Sequence, residues 1–278
     1  MSLSKSDWPQ RIICLTTETA ETVFALGAGD RVVGVTGYAT RPPEVREKEK
    51  VSAFTSVRMD KIRALKPDLI LAFSDLQKDI VRDLVQEGHN VFVTNQRSLK
   101  EVGEAILAVG RLLSLEEKAE EICGKFYGEL SELEKKAREF PGKIRVYFEE
   151  WDDPLISGIR WASEIIQRLG GEDIFEELQE GVTASERKVD GREVIRRNPE
   201  AILAAWCGKK VNPQKIRQRP GWEGIEAVRK NQIYEIKSAD ILQPGLSLLH
   251  GARQIFEIFN QVHVSAAVIA RSEATKQS

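Results

Sequence analysis

The sequence predicts an α/β fold of two Rossmann-like lobes joined by a single long α-helix. Short apolar, β-branched runs alternate with helical patterns along the chain, as expected of strands buried on both faces and covered by helices. Between 114 and 140 the residues Leu115, Ala119, Ile122, Phe126, Leu130, Leu133, Ala137 and Phe140 recur at steps of three or four, until Pro141-Gly142 ends the pattern. The alternation then restarts and echoes itself. Leu26-Gly27 at a helix end, with Asp30 three residues after the glycine, returns as Leu169-Gly170 with Asp173. Ile62–Ala72, a helix running into Pro67, an acid and a buried strand, returns as Val194–Ala204 around Pro199. Two matches in the same order, displaced by 143 and 132 residues, indicate two similar lobes.

In chain order, Arg11–Leu15 reads as a buried strand, and Thr16–Ala20 can cap a helix over Ala20–Leu26 that stops at Gly27. Arg31–Val35 is the next strand, and the charged, proline-bearing 41–50 a surface loop with a short turn of helix. Helix Met59–Leu65 and strand Asp68–Phe73 follow, then helix Asp79–Glu87, strand Asn90–Thr94 and helix Leu99–Leu113, where Ser98 and Glu101 make a capping box. Ser114 and Glu117 have the same spacing at the start of the long helix, which would run ~40 Å and act as a strut between lobes. Ile144–Phe148 opens the second lobe and Ser247–Asn260 is its last helix. The expected organisation is a first lobe over 11–113, the connecting helix over 114–140, a second lobe over 143–260 and a disordered or loosely packed tail over 261–278.

The chain has 278 residues, 41% hydrophobic and 30% charged, enough to bury a core, with a net charge of −2. Acids and bases are interspersed, which argues against nucleic acid, since duplex binding needs a clustered basic surface. No apolar run approaches the ~20 residues that span a bilayer. The first ten residues carry no signal core, cleavage site or lipid-acceptor Cys, so the chain is either cytoplasmic or trimmed of an export signal. Cys14, Cys123 and Cys207 are scattered and read as free thiols. His89, His250 and His263 are too dispersed to hold a metal, and no metal site is expected.

Serine-elbow, HExxH and Walker signatures are absent, so no catalytic residues are assigned. Glu149-Glu150-Trp151-Asp152-Asp153 follows the first strand of the second lobe, where α/β lobes place their ligand crevice. Its carboxylates could serve as acid and base, bind hydroxyl and amide groups, or belong to a solvated loop. Aromatics gather at the same ends. Phe73 and Trp206 close mirrored strands, Trp151 follows one, and Tyr38 and Phe54 lie in neighbouring loops, whereas Trp161 and Trp222 fit lobe packing equally well. Flat faces suit a macrocycle or another bulky, partly apolar ligand.

Ala25–Thr36 (ALGAGDRVVGVT), Ile62–Ala72, Leu169–Phe175 and the stretch from Gly221-Trp222 to Ile233-Tyr234 resemble the class III periplasmic binding proteins, the substrate-binding components of vitamin B12 and ferric-siderophore ABC importers. The resemblance covers about residues 11–260 and implies the helical-backbone fold of that family. It implies a corrinoid or ferric chelate as ligand, no cofactor of the protein's own, ABC permease subunits as partners, an extracytoplasmic location and a monomeric chain. The ligand-contacting residues would be Tyr38, Phe54, Thr55, Phe73, Ser74, Gln96, Glu150, Trp151, Trp206 and Asp240. Phe54 and Phe73 fall where the B12-binding members place tryptophans, while Glu186 falls near the place of the second-lobe tryptophan. For permease docking, Asp60 fits the first-lobe acid, and in the second lobe Arg192 occupies the aligned position with Glu193 beside it. A cytoplasmic chelate carrier and a chelatase-like enzyme using Glu149 or Glu150 are the alternatives. With Arg97 the one base placed near a strand end, a corrinoid is expected to bind more tightly than an anionic catecholate chelate. Trp151 and Trp206 are expected to face Phe73 and Tyr38 across one cleft.

Overall fold

The computed structural model describes residues 9–276. The chain divides into two compact units, one running through Phe126 and including Pro244–Leu246, the other from Tyr127 to Gln243 and again from Ser247 on. Each has its own sheet.

The first unit contains β1 (Ile12–Cys14), α1 (Thr17–Ala25), β2 (Val32–Thr36), β3 (Glu49–Ala53), β4 (Ser56–Val57), α2 (Met59–Leu65), β5 (Leu69–Phe73), α3 (Lys78–Gln86), β6 (Val91–Thr94) and α4 (Leu99–Leu112). Its strand order is β4-β3-β2-β1-β5-β6, parallel except for the β3–β4 hairpin. Every residue of β1 and β5 is buried, which is why both read as continuous apolar runs rather than alternating ones. Helix α5 (Glu116–Ala137) carries the chain into the second unit.

There β7 (Ile144–Asp152), β8 (Leu155–Ser157), α6 (Arg160–Arg168), β9 (Gly171–Asp173), α7 (Gly191–Arg197), β10 (Ala201–Ala204), α8 (Pro213–Arg217), α9 (Glu226–Arg229), β11 (Ile233–Glu235), α10 (Ser238–Ile241) and α11 (Leu248–Lys276) follow. The order is β11-β10-β7-β8, and β9 pairs in parallel with the first residues of β7. Tyr147, Val194, Ile202, Trp206, Ile216 and Trp222 belong to its buried core.

The echo seen in the sequence has a backbone counterpart. Helix α2 ends on Lys66 at φ 46°, and α7 on Asn198 at φ 44°, each just before a proline. A left-handed last residue turns the chain where the following proline disfavours a further helical turn.

Several elements differ from the expectation. Helix α1 starts at Thr17, three residues early, because Thr16 is extended (φ −136°) and every residue from Thr17 to Val23 is buried. The 41–50 loop does hold a 3-10 turn at Pro43–Glu47, but Glu49 already belongs to β3. Ser114 does not cap the long helix. It sits at φ 58° and closes α4, with Leu115 N donating to Gly110 O at 2.8 Å, so α5 begins at Glu116. A Cβ on Gly110 would lie 2.4 Å from Ala119 Cβ, so only glycine admits this close helix approach. The tail expected from 261 is helical through Lys276, because Val262 is buried and the His263 ring lies 4.8 Å from Phe140. Finally, the second half is interrupted at Pro244–Leu246, which belongs to the first unit.

Candidate ligand-binding site

In the first unit the strand ends carry little charge. Tyr38, in the turn after β2, is 58% exposed. Phe54 and Thr55 form the β3–β4 turn, Phe54 half-buried and Thr55 exposed. Phe73 ends β5 and is buried, with the Arg97 guanidinium 5.6 Å from its ring centroid and Arg97 held by Asp75 at 2.7 Å. Gln77, fully buried, joins these turns. Its side-chain carbonyl accepts from Phe73 N at 3.0 Å, and its amide donates to Phe54 O at 2.8 Å. Its position four residues after Phe73 was the only sequence signal for this role.

Two polar residues expected to meet ligand are committed to the protein instead. Ser74 is buried at φ 64°, and its hydroxyl accepts from Leu76 N at 3.2 Å, holding the turn. Gln96 is also buried and donates to Pro244 O at 2.9 Å, while its carbonyl accepts no hydrogen bond among the described residues. A narrow crevice beside it is lined by Glu18, Thr19, Thr22 and Thr94. Burial pushes the Glu18 carboxyl up to about 7, against the opposing hydrogen bond from the Thr16 hydroxyl.

The second unit handles its strand end differently. The Glu149-Glu150-Trp151-Asp152 stretch closes β7, and each carboxylate meets arginine or lysine. Glu149 is fully buried and takes two bonds from Arg219, at 2.5 and 2.9 Å, and one from the Trp206 indole N–H at 3.0 Å. Glu150 binds Arg187 at 2.6 Å, itself buried against Ser157 O. Asp152 receives both Lys209 and Lys215. Burial would raise the Asp152 carboxyl, but the hydrogen bonds from the two lysines outweigh it and hold the group below the usual carboxylate range.

This arrangement corrects several expectations. Trp206 is only 2% exposed and packs in the core of its unit, so it offers no open ring face. Asp240 is buried and accepts from Gln254 at 2.8 Å, within the packing of α10 on α11. Glu150 is neutralised by Arg187 rather than free to receive amides. Both Glu149 and Glu150 are held in ion pairs with arginines rather than presented free. Arg97 is not the one base at a strand end, since Arg187, Arg219, Lys209 and Lys215 gather beside β7 from distant positions in the sequence. Trp151 stays half-buried, its N–H on Asp153 O at 2.8 Å. Asp60 is exposed beside Arg58, and Glu193 pairs with Arg196 at 2.8 Å. Among the described residues no group of three His, Cys, Asp or Glu side chains could hold a metal ion.

The periplasmic binding protein profile matches residues 12–239. The chain belongs to the periplasmic binding protein family. It is 27% identical to an uncharacterized ABC transporter substrate-binding lipoprotein of Bacillus subtilis, over 90% of this chain and 79% of that protein. It is 26% identical to a vitamin B12-binding protein of Vibrio vulnificus, over 91% of each chain. A heme-binding protein from Roseiflexus superposes with a TM-score of 0.78 at 20% identity, over 91% of this chain and 99% of that one. Membership makes the chain a binding protein rather than an enzyme. Among the described residues no helix is long and apolar enough to cross a membrane.

Proposed function

We propose that this binding protein takes up a bulky, partly apolar chelate, a corrinoid or a ferric chelate, and delivers it to the permease of an ABC importer. The observation that carries the reading is the similarity, over 91% of both chains, to a vitamin B12-binding protein. The ABC transporter substrate-binding lipoprotein relative supports the importer role. Tyr38, Phe54 and Thr55 in the first unit and Trp151 in the second are the accessible members of the proposed contact set. Phe73 is buried, with Arg97 over its ring, and falls outside that set. Asp60 and Glu193 are the docking acids. The site of action is extracytoplasmic, and the chain works as a monomer.

A panel of cyanocobalamin, dicyanocobinamide, hemin and ferric siderophores tests the reading by thermal shift and isothermal titration. A ligand at a hundred times its Kd raises stability by about 2.7 kcal/mol, a readily visible shift. Micromolar or tighter binding of at least one member is expected. Failure of the whole panel would remove the chelate reading.

A further inference from the structure

Lys209 and Lys215 share one acid. Their ammonium groups sit on opposite oxygens of Asp152, whose side chain is 1% exposed, while the lysines themselves are 40% and 54% exposed. Lys209 is also 4.0 Å from the Trp151 ring centroid and 5.0 Å from that of Trp206, with Lys215 5.9 Å from Trp206. An ammonium has three N–H donors. Each lysine spends one on Asp152, and none of the described residues accepts the others. Two cations therefore surround one buried anion, leaving surplus positive charge on two partly exposed side chains at the end of β7. Trp151 packs on the core and lies beneath the Lys209 ammonium, so its ring holds the cation.

Resting on the proposed chelate reading, we propose that Lys209 and Lys215 form an anion subsite that recognises a carboxylate arm of the chelate, selecting acidic chelates over neutral or cationic ones. Trp151 is a positioning residue, fixing Lys209 by cation–π attraction, and Asp152 fixes both ammonium groups so that little freedom is lost on binding. A carboxylate placed over the pair would make charge-assisted bonds with both lysines. The ligand is thus a flat or compact chelate with at least one exposed carboxylate.

The test compares hemin and ferric citrate, which carry carboxylates, with dicyanocobinamide, which carries none. Titrations use the intact chain, Lys209→Gln, Lys209→Gln/Lys215→Gln, Trp151→Phe, Trp151→Ala, and Lys210→Gln as an exposed control. The double variant is expected to weaken hemin or ferric citrate binding about tenfold or more, the loss of one or two charge-assisted bonds. Wild-type affinity should fall with added salt and the double variant's should not, because surface charge pairs are screened. Lys210→Gln should behave as wild type. Trp151→Phe should retain most affinity, and Trp151→Ala should lose it in proportion to Lys209→Gln. Carboxylate-chelate binding that ignores both lysines overturns the subsite and leaves the chelate reading standing. So does tight binding of dicyanocobinamide with neither carboxylate chelate detectable. Silence from all three, and from the wider panel, removes the chelate reading itself.

Discussion

The two units solve one problem in opposite ways at the ends of their central strands. In the first, the buried Glu18 carboxyl meets the Thr16 hydroxyl, and its charge is avoided by a pKa raised to about 7. In the second, Glu149, Glu150 and Asp152 are each met by basic partners folded onto them, Arg219, Arg187, and Lys209 with Lys215. Related topology therefore does not dictate related electrostatics. One strand end is tuned by protons, the other by the loss or addition of a partner charge.

The sharpest way to break this contrast is Arg219→Ala. It leaves the fully buried Glu149 without its guanidinium partner, and is expected to cost about 3–5 kcal/mol of stability in denaturant titrations. Arg219→Ala combined with Glu149→Gln should recover much of that loss. A single-variant cost under 1 kcal/mol would show that the pair carries no buried charge.

Next comes the pH dependence of the first unit. Because the folded Glu18 carboxyl holds its proton to about 7, the folded chain binds more protons than the unfolded chain above the ordinary carboxyl range. Its contribution to stability is complete below about pH 4.5 and is lost as pH rises to about 7, amounting to at most about 3 kcal/mol. Glu18→Gln should remove this slope, measured as the difference between the two stability–pH curves. Asp173, raised to about 6 by burial, is common to both curves and cancels in the comparison. Parallel curves would mean Glu18 titrates normally.

A smaller effect is expected where hydrogen bonds alone link two turns. Gln77→Ala strands the Phe73 N–H and the Phe54 carbonyl, at a cost of about 1–3 kcal/mol. Hydrogen exchange at Phe73 should accelerate more than at β1. The smallest effect belongs to the exposed acids. Asp60→Asn and Glu193→Gln should leave the melting temperature unchanged while slowing ligand uptake by a reconstituted importer, and equal uptake rates would remove them as docking residues.

The sequence already determined the layer architecture. Strands such as Leu69–Phe73 are apolar on both faces, Pro67 and Pro199 end their helices, and the 114–140 periodicity allows little but a helix. These are local rules of sterics and period, readable within a window of ten to thirty residues. The ends of the helices were less legible, because Ser114 can cap a helix or close one, and the choice depends on Gly110 meeting Ala119. The state of the candidate site was decided by tertiary structure alone. Trp206 and Trp151 are alike as letters, but Glu149 and the core of the second unit hold Trp206 inside while Trp151 stays half-buried. Arg187, Lys209, Lys215 and Arg219 lie 37 to 70 residues from the acids they neutralise. No local pattern reports a pairing over that distance, since the energy of a buried charge depends on which atoms surround it and not on its neighbours along the chain.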